Sequence, residues 1–411
     1  MDTMITGVTL IDGTGSSPVE SATVLIAADH IAAVGKDGEL PASGGPVEHW
    51  HLPNLTLLPG LIDAHVHILE DEDPRDPFYP VPSSETFALH GARNARLTLE
   101  AGFTTVRDVA AVNRTIFALR QAIADGTLSG PRIVASGKCL TVTGGHGTEY
   151  GFPMAWEVDT AEEFRKAVRK QLKAGADFIK VIATRSSFTP PYQGMPAFSV
   201  EELLPGIEEA HAAGLLVAAH ASVNVEGIRN TVEAGVDTVE HGSPADDSTL
   251  DVMKAKGTML VPTICVWAAV LERCAQGKFK GPPALREILP QRYAAVLDTV
   301  RRARDRGIPI VLGTDAPAVP HGTNAAEFGL LIEAGLSPME TIVAATANAA
   351  RACGRGADLG TIEPGKLADC ILVDGDPLQS VSILSDKERI KLVLQNGKVV
   401  VNRGLEPTKG N

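Results

Sequence analysis

The chain has 411 residues, 44% of them hydrophobic and 21% charged, with a formal net charge of −13; that is ordinary for a globular enzyme and leaves room for one large domain beside a smaller one. The acidic balance, without a long basic run, argues against nucleic acid or an anionic membrane as partner, and no apolar stretch approaches the ~20 residues of a membrane span. Five scattered cysteines without a Cys-x-x-Cys pair read as reduced thiols, and no basic-then-apolar leader opens the sequence, so a cytoplasmic location is expected.

Short strands are predicted at 5–11, 22–27 and 30–34, separated by Gly/Ser turns at hairpin spacing. From about residue 58 the texture changes to short apolar runs alternating with helical patterns. Eight strands are predicted, at 60–64, 104–109, 132–136, 178–182, 215–219, 238–240, 259–263 and 308–313. Helices are expected between them, among others at 83–101, 160–174, 200–213 and 284–306, with Gly102, Gly175, Gly214, Gly235 and Gly307 ending helices ahead of the next strand. Eight βα units indicate an α/β protein built on a (β/α)8 TIM barrel. An open doubly wound sheet is the alternative, but no Gly-rich dinucleotide loop follows any strand.

After a helical stretch at 337–354, strand texture returns at 368–373, 390–395 and 398–401, with Asn396-Gly397 as a tight hairpin turn. Neither end has enough strands for a core of its own. The two are therefore expected to form one small β-sandwich, residues 1–57 with 356–411, beside a barrel of residues 58–355.

In such a barrel the reactive side chains come from the C-terminal strand ends. These ends carry, in order, His65 and His67, Lys180, His220, His241 and Asp315. The i, i+2 spacing of His65 and His67 places both on one face of a strand. Each residue alone has an ordinary reading: a hydrogen-bonded core histidine, a snorkelling lysine, a turn aspartate. All of them together on one face of one barrel indicate a metal site. His146, in Thr-Gly-Gly-His-Gly, lies in a loop whose glycines allow close approach to a ligand, and His321 follows the eighth strand. His30, His49, His51, His90 and His211 read as surface or packing residues. Trp267 and the Phe78-Tyr79 pair fall in loops after strands seven and one, where they either pack or line an apolar pocket.

The ordered set His65, His67, Lys180, His220, His241 and Asp315 resembles the metal-ligand pattern of the amidohydrolase superfamily, and Ala-Asp-Leu-Gly-Thr-Ile-Glu-Pro-Gly-Lys-Leu-Ala-Asp at 357–369 is similar to its C-terminal signature. The segments at 135–147 and 217–221 look most like the branch of Xaa-Pro dipeptidases, lysine and arginine carboxypeptidases, ochratoxin-hydrolysing amidases and molinate hydrolase. That resemblance implies two divalent metal ions, with zinc suited to the donor set, bridged by a carbamate formed on Lys180 from CO2. His65, His67 and Asp315 would hold one ion, and His220 and His241 the other, with a hydroxide between them. Asp315 would also serve as the catalytic proton carrier. His146 would donate to the developing oxyanion or hold a substrate group, and Tyr192 and Arg185 would bind a substrate carboxylate.

The expected activity is hydrolysis of an amide in a small molecule such as an N-acyl amino acid or dipeptide, by a homo-oligomer. Carbamates, thiocarbamates, ureas or lactams are the alternative substrates. A non-catalytic assembly protein would have lost ligands, and all six are present here.

Overall fold

The structure, a computed structural model, describes residues 2–36, 40, 46–71, 81–148, 153–185, 195–279 and 283–408. Strand β1 (Asp2–Leu10) buries Thr3 and Ile5, then Val8 and Leu10; the alternation slips by one at a bulge in its pairing with β2 (Val19–Ala27). β3 (His30–Lys36), β4 (Val47–His51) and β5 (Leu55–Pro59) follow. Three strands from the far end of the chain, Cys370–Asp374, Ile390–Gln395 and Lys398–Asn402 (β15 to β17), join them in one eight-stranded sheet ordered β17-β16-β15-β5-β1-β2-β3, with β4 also paired to β1. Val24 of β2 and Leu392 of β16 share an apolar core with Ile5, Trp50 and Leu57. The strands of the two chain ends thus lie on one continuous hydrogen-bonded path over a shared core. Its last hairpin turns at Asn396-Gly397, both with positive φ, as the sequence leads one to expect.

The barrel strands are β6 (Leu61–Val66), β7 (Phe103–Asp108), β8 (Arg132–Ala135), β11 (Ile179–Ile182), β12 (Val217–Ala221), β13 (Thr238–His241) and β14 (Met259–Val261). All neighbouring ladders among them are parallel. Two short strands not expected from sequence, β9 (Cys139–Thr141) and β10 (Ala155–Glu157), pair beside β11. The gap between β8 and β11 is spanned by the Asp177 amide donating to Ala135 O.

The eighth predicted strand closes the ring with single bridges, Leu260 to Ile310 and Val66 to Ala316, in place of a ladder. Pro309 has no N–H to give, and the chain leaves extended geometry at Asp315, whose φ is 57°. The Ala64 amide still reaches Leu312 O, and the Asp315 amide reaches His65 O. Gly313 is required here, because a Cβ on it would lie 2.8 Å from that of His65.

Helices ring the barrel, among them α1 (Ser84–Glu100), α2 (Thr115–Ala124), α5 (Val225–Ala234) and α6 (Asp247–Lys256). α3 (Ala161–Ala174) starts on a Thr160 cap and ends on left-handed Gly175, and α4 (Val200–Ala212) starts on a Ser199–Glu202 capping box. α7 (Ile264–Ala275) and α8 (Pro283–Asp305) flank the C-terminal side of β14. All five cysteines are free thiols, and no helix among the described residues is long and apolar enough to cross a membrane.

Candidate metal centre

One cavity at the C-terminal end of the barrel is lined by His65, His67, Lys180, His220, His241 and Asp315, with His146 beside them. Local backbone irregularities aim these side chains. A register shift in β6 between Asp63 and Val66 turns His65 inward, and left-handed φ values at His241 (68°) and Asp315 (57°) do the same for their side chains. Asp63 braces the bulge, since its carboxylate accepts from the amides of His65 and Thr314, the Thr314 hydroxyl and the Asn324 amide group. Backbone of this kind costs about 1–3 kcal/mol per residue and persists where the surroundings over-determine it.

Asp315 Oδ1 lies 3.1 Å from His67 Nε2 and 3.3 Å from His65 Nε2, and one donor atom from each of the three fits within 4.8 Å of the others. The His220 and His241 rings are 4.5 Å apart, His241 is 5.2 Å from His65, and His146 is 4.9 Å from His220. Hydrogen bonds behind the rings fix which nitrogen faces the cavity. His65 Nδ1 donates to Glu240 at 2.6 Å, His67 Nδ1 to Ala110 O at 3.2 Å, and His241 Nδ1 to Thr263 Oγ1 at 2.6 Å. Each of these rings therefore presents Nε2. His220 is reversed, with Nε2 near the Ser222 hydroxyl at 3.4 Å and the Nδ1 lone pair left to serve as a ligand.

The electrostatics suit a cation. Burial first, and then neighbouring positive charge, holds His220 well below the usual imidazole range and His241 at about 3, so both lone pairs stay available. Burial pushes the Asp315 carboxyl up, but His65 and His67 more than offset it and keep it ionised. The partnership raises His67 to about 9 against the pull of burial. Lys180 Nζ is buried and has no hydrogen-bond partner among the described residues, and burial lowers its pKa to about 8. An orphaned amine among four histidines and a carboxylate fits a metal-ligand role far better than an ammonium core residue.

Beneath the candidate ligands runs a buried ionic network that sequence reasoning missed. Glu240 accepts from His65, from the Thr238 hydroxyl at 2.6 Å and from the Arg107 guanidinium at 2.8 Å. Arg107 also donates to the carbonyls of Ala64 and Ala352 and lies 5.3 Å over the Phe178 ring. Burial opposes ionisation of Glu240, but Arg107, Lys180 and His65 override it and hold the carboxyl far below the usual range. Glu240→Ala leaves the fully buried Arg107 charge uncompensated and is expected to destabilise the fold by about 3–5 kcal/mol. Urea denaturation of the apoprotein measures this, and a loss below about 1 kcal/mol would mean that Arg107 finds another partner.

Of the other sequence-predicted site residues, Arg185 is not among those lining the cavity, and its charge acts on Asp159. Tyr192 and the Phe78-Tyr79 pair lie outside the described residues. Trp267 is buried and does line the cavity, with Val109, Met154, Val266 and Pro317. His321 is buried and donates to Glu70 O, bracing the loop after β6. His30, His51, His90 and His211 pair locally with Asp29, Thr6, Asp71 and Asp237.

Residues 56–400 match the model of the amidohydrolase family. Ochratoxinase of Aspergillus niger is 32% identical over 97% of this chain and 86% of its own length, and its crystal structure superposes with a TM-score of 0.87. The crystal structure of a Xaa-Pro dipeptidase with methionine bound in its active site is 33% identical, with a TM-score of 0.87 over 97% of this chain and 99% of that one. The family match spans barrel, candidate ligands and both sheet connections, and so this chain belongs to the amidohydrolase family, as a hydrolase of carbon–nitrogen bonds.

Proposed function

We propose that the chain is a binuclear metal-dependent amidohydrolase that cleaves the amide bond of a small N-acyl amino acid or dipeptide. The observation that carries this reading is the one cavity in which His65, His67 and Asp315 meet His220, His241 and the amine of Lys180, which has no partner among the described residues. The names of the similar proteins, an ochratoxinase and a Xaa-Pro dipeptidase, point to the same bond class. Two divalent ions, zinc by the donor set, with a carbamate on Lys180, would supply electrophilic activation of an acyl carbonyl and an acidified water.

The chain's own groups do the rest. Asp315, ionised and within 3.3 Å of both first-strand imidazoles, takes a proton from the attacking water on its carboxylate and delivers it to the leaving nitrogen. His146 is carried on a loop so tight that a Cβ on Gly145 would lie 2.2 Å from Thr141 Oγ1, and it donates to the oxygen that gains charge in the transition state. The apolar wall of Val109, Met154, Val266 and Trp267 holds the substrate's hydrocarbon and excludes bulk water.

The test is elemental analysis of protein prepared with bicarbonate, beside amine release from a panel of N-acyl amino acids and dipeptides. Two metals per chain, with turnover lost on chelation and restored by metal, is the expected result. One metal with full turnover would end the binuclear reading. Amine release from none of the panel would move the search to carbamates and ureas.

A further inference from the structure

Glu327 is fully buried at the start of α9 (Ala326–Glu333), does not line the catalytic cavity, and has no part in the reaction proposed above. A carboxylate so placed is held by what it accepts. One oxygen accepts from the backbone amide of Ile264 and the other from that of Cys265, both at 2.8 Å. These are the first two residues of α7, so Glu327 caps a helix two helices earlier in the chain.

Helices ordinarily supply this cap themselves. α3, α4, α5 and α6 start on Thr160, Ser199, Asn224 and Asp246, whose side chains each accept from the first turn that follows. α7 starts on Thr263, a residue of the same kind, yet the Thr263 hydroxyl does not cap. It donates to Pro262 O at 2.8 Å and lies 2.6 Å from His241 Nδ1. A hydroxyl has one proton, and with that proton on Pro262 O its oxygen can only accept from the imidazole. His241 is thereby fixed as the Nδ1–H tautomer, with the Nε2 lone pair free for a metal.

The backbone is strained to allow this. Thr263 is β-branched and sits in the left-handed region at φ 47°, ψ 52°, a conformation that persists only where the surroundings over-determine it. The two amides held by Glu327 directly follow Thr263 and anchor it from that side. In the ordinary extended geometry of an N-cap, Thr263 could cap α7 itself, and His241 would lose its acceptor.

We propose that Glu327 is a positioning residue for the metal centre: by capping α7 in place of Thr263, it frees the Thr263 hydroxyl to set the tautomer of His241. This rests on the reading of His241 as a metal ligand and extends it to a carboxylate outside the cavity.

The experiment uses the full chain with isotope-labelled histidine, stripped of metal and held at about pH 8, where an ordinary imidazole is neutral. Ring nitrogen shifts read the tautomer of His241, and competition with a chelating dye reads the affinity for zinc. Wild type is expected to show Nδ1–H. Thr263→Val and Glu327→Met are each expected to release the Nε2–H form and to lower zinc affinity about 10- to 100-fold. Because both act through one hydrogen bond, the double variant should fall no further than T263V, and E327Q, which keeps one acceptor oxygen, should recover part of the loss. Intact Nδ1–H in E327M with zinc affinity within about twofold of wild type, or additive losses in the double variant, would overturn the proposal. If wild type binds no zinc, the metal reading fails separately, and the tautomer alone decides whether Glu327 acts on His241. Should the Glu327 variants not fold, hydrogen exchange in wild type replaces them. The proposal then expects the Ile264 and Cys265 amides and the His241 ring N–H to exchange together through one shared opening, and a ring proton about tenfold or more faster than both amides would refute it.

Discussion

Asparagine in place of Asp315 is expected to lower kcat by about 10³-fold or more at neutral pH, with the fold retained. The substitution keeps the shape of the side chain and removes two things at once, a negative ligand and a proton acceptor. A positioned general base alone contributes about 10²- to 10⁴-fold. The carboxylate also holds together the first-strand histidines: its Oδ1 lies within 3.3 Å of both Nε2 atoms, and its hydrogen bond and charge raise His67 to about 9. Neutral asparagine cannot do this, so His67 should fall back toward the ordinary imidazole range in the apoprotein. NMR titration of that ring checks this apart from turnover. Metal analysis then divides the roles. A large fall in kcat with both metals retained assigns Asp315 to proton transfer, and loss of one metal makes it primarily a ligand. A kcat within tenfold of wild type with both metals present would remove it as the base.

The strand ends were readable because each candidate ligand directly follows an apolar run, and a parallel barrel brings all such ends to one rim. Glycines such as Gly175 and Gly235, left-handed at φ 93° and 95°, marked where helices gave way to the next strand. Other features had no local signal. Arg107, in Thr-Thr-Val-Arg-Asp, looks like a charge at a strand end, and nothing nearby announces a carboxylate 133 residues away as its buried partner. Glu240 was hidden for a different reason. Strand alternation assigns it and His241 to opposite faces, and only the left-handed backbone at His241 brings both into the barrel. The eighth strand was legible as an apolar run, yet its weak pairing depends on Pro309 and on the turn at Asp315, which pattern alone does not weigh.

Lys180→Ala is expected to drop the metal content from two per chain to one or none and turnover by about 10³-fold or more. The physical argument starts from burial. An ordinary lysine, with a pKa near 10.5, is neutral in only about 0.03% of molecules at pH 7, whereas a pKa of about 8 leaves roughly 10% neutral, a gain of about 300-fold. Only the neutral amine has the lone pair that bonds to the carbon of CO2. The new N–C bond forms as one C=O π pair moves to oxygen, and the nitrogen loses a proton to solvent. The product is an anionic oxygen donor where the free amine has no hydrogen-bond partner among the described residues. It follows that reconstitution of apoprotein with metal, at fixed dissolved CO2, should accelerate as pH rises through about 8 and level off above it. Acetate added to Lys180→Ala should restore part of the metal content, because the truncated side chain leaves space for a small carboxylate beside His220 and His241. Two tightly held metals in Lys180→Ala without any added carboxylate would show that the amine is not a ligand, and the metals would then rest on the histidines and Asp315 alone.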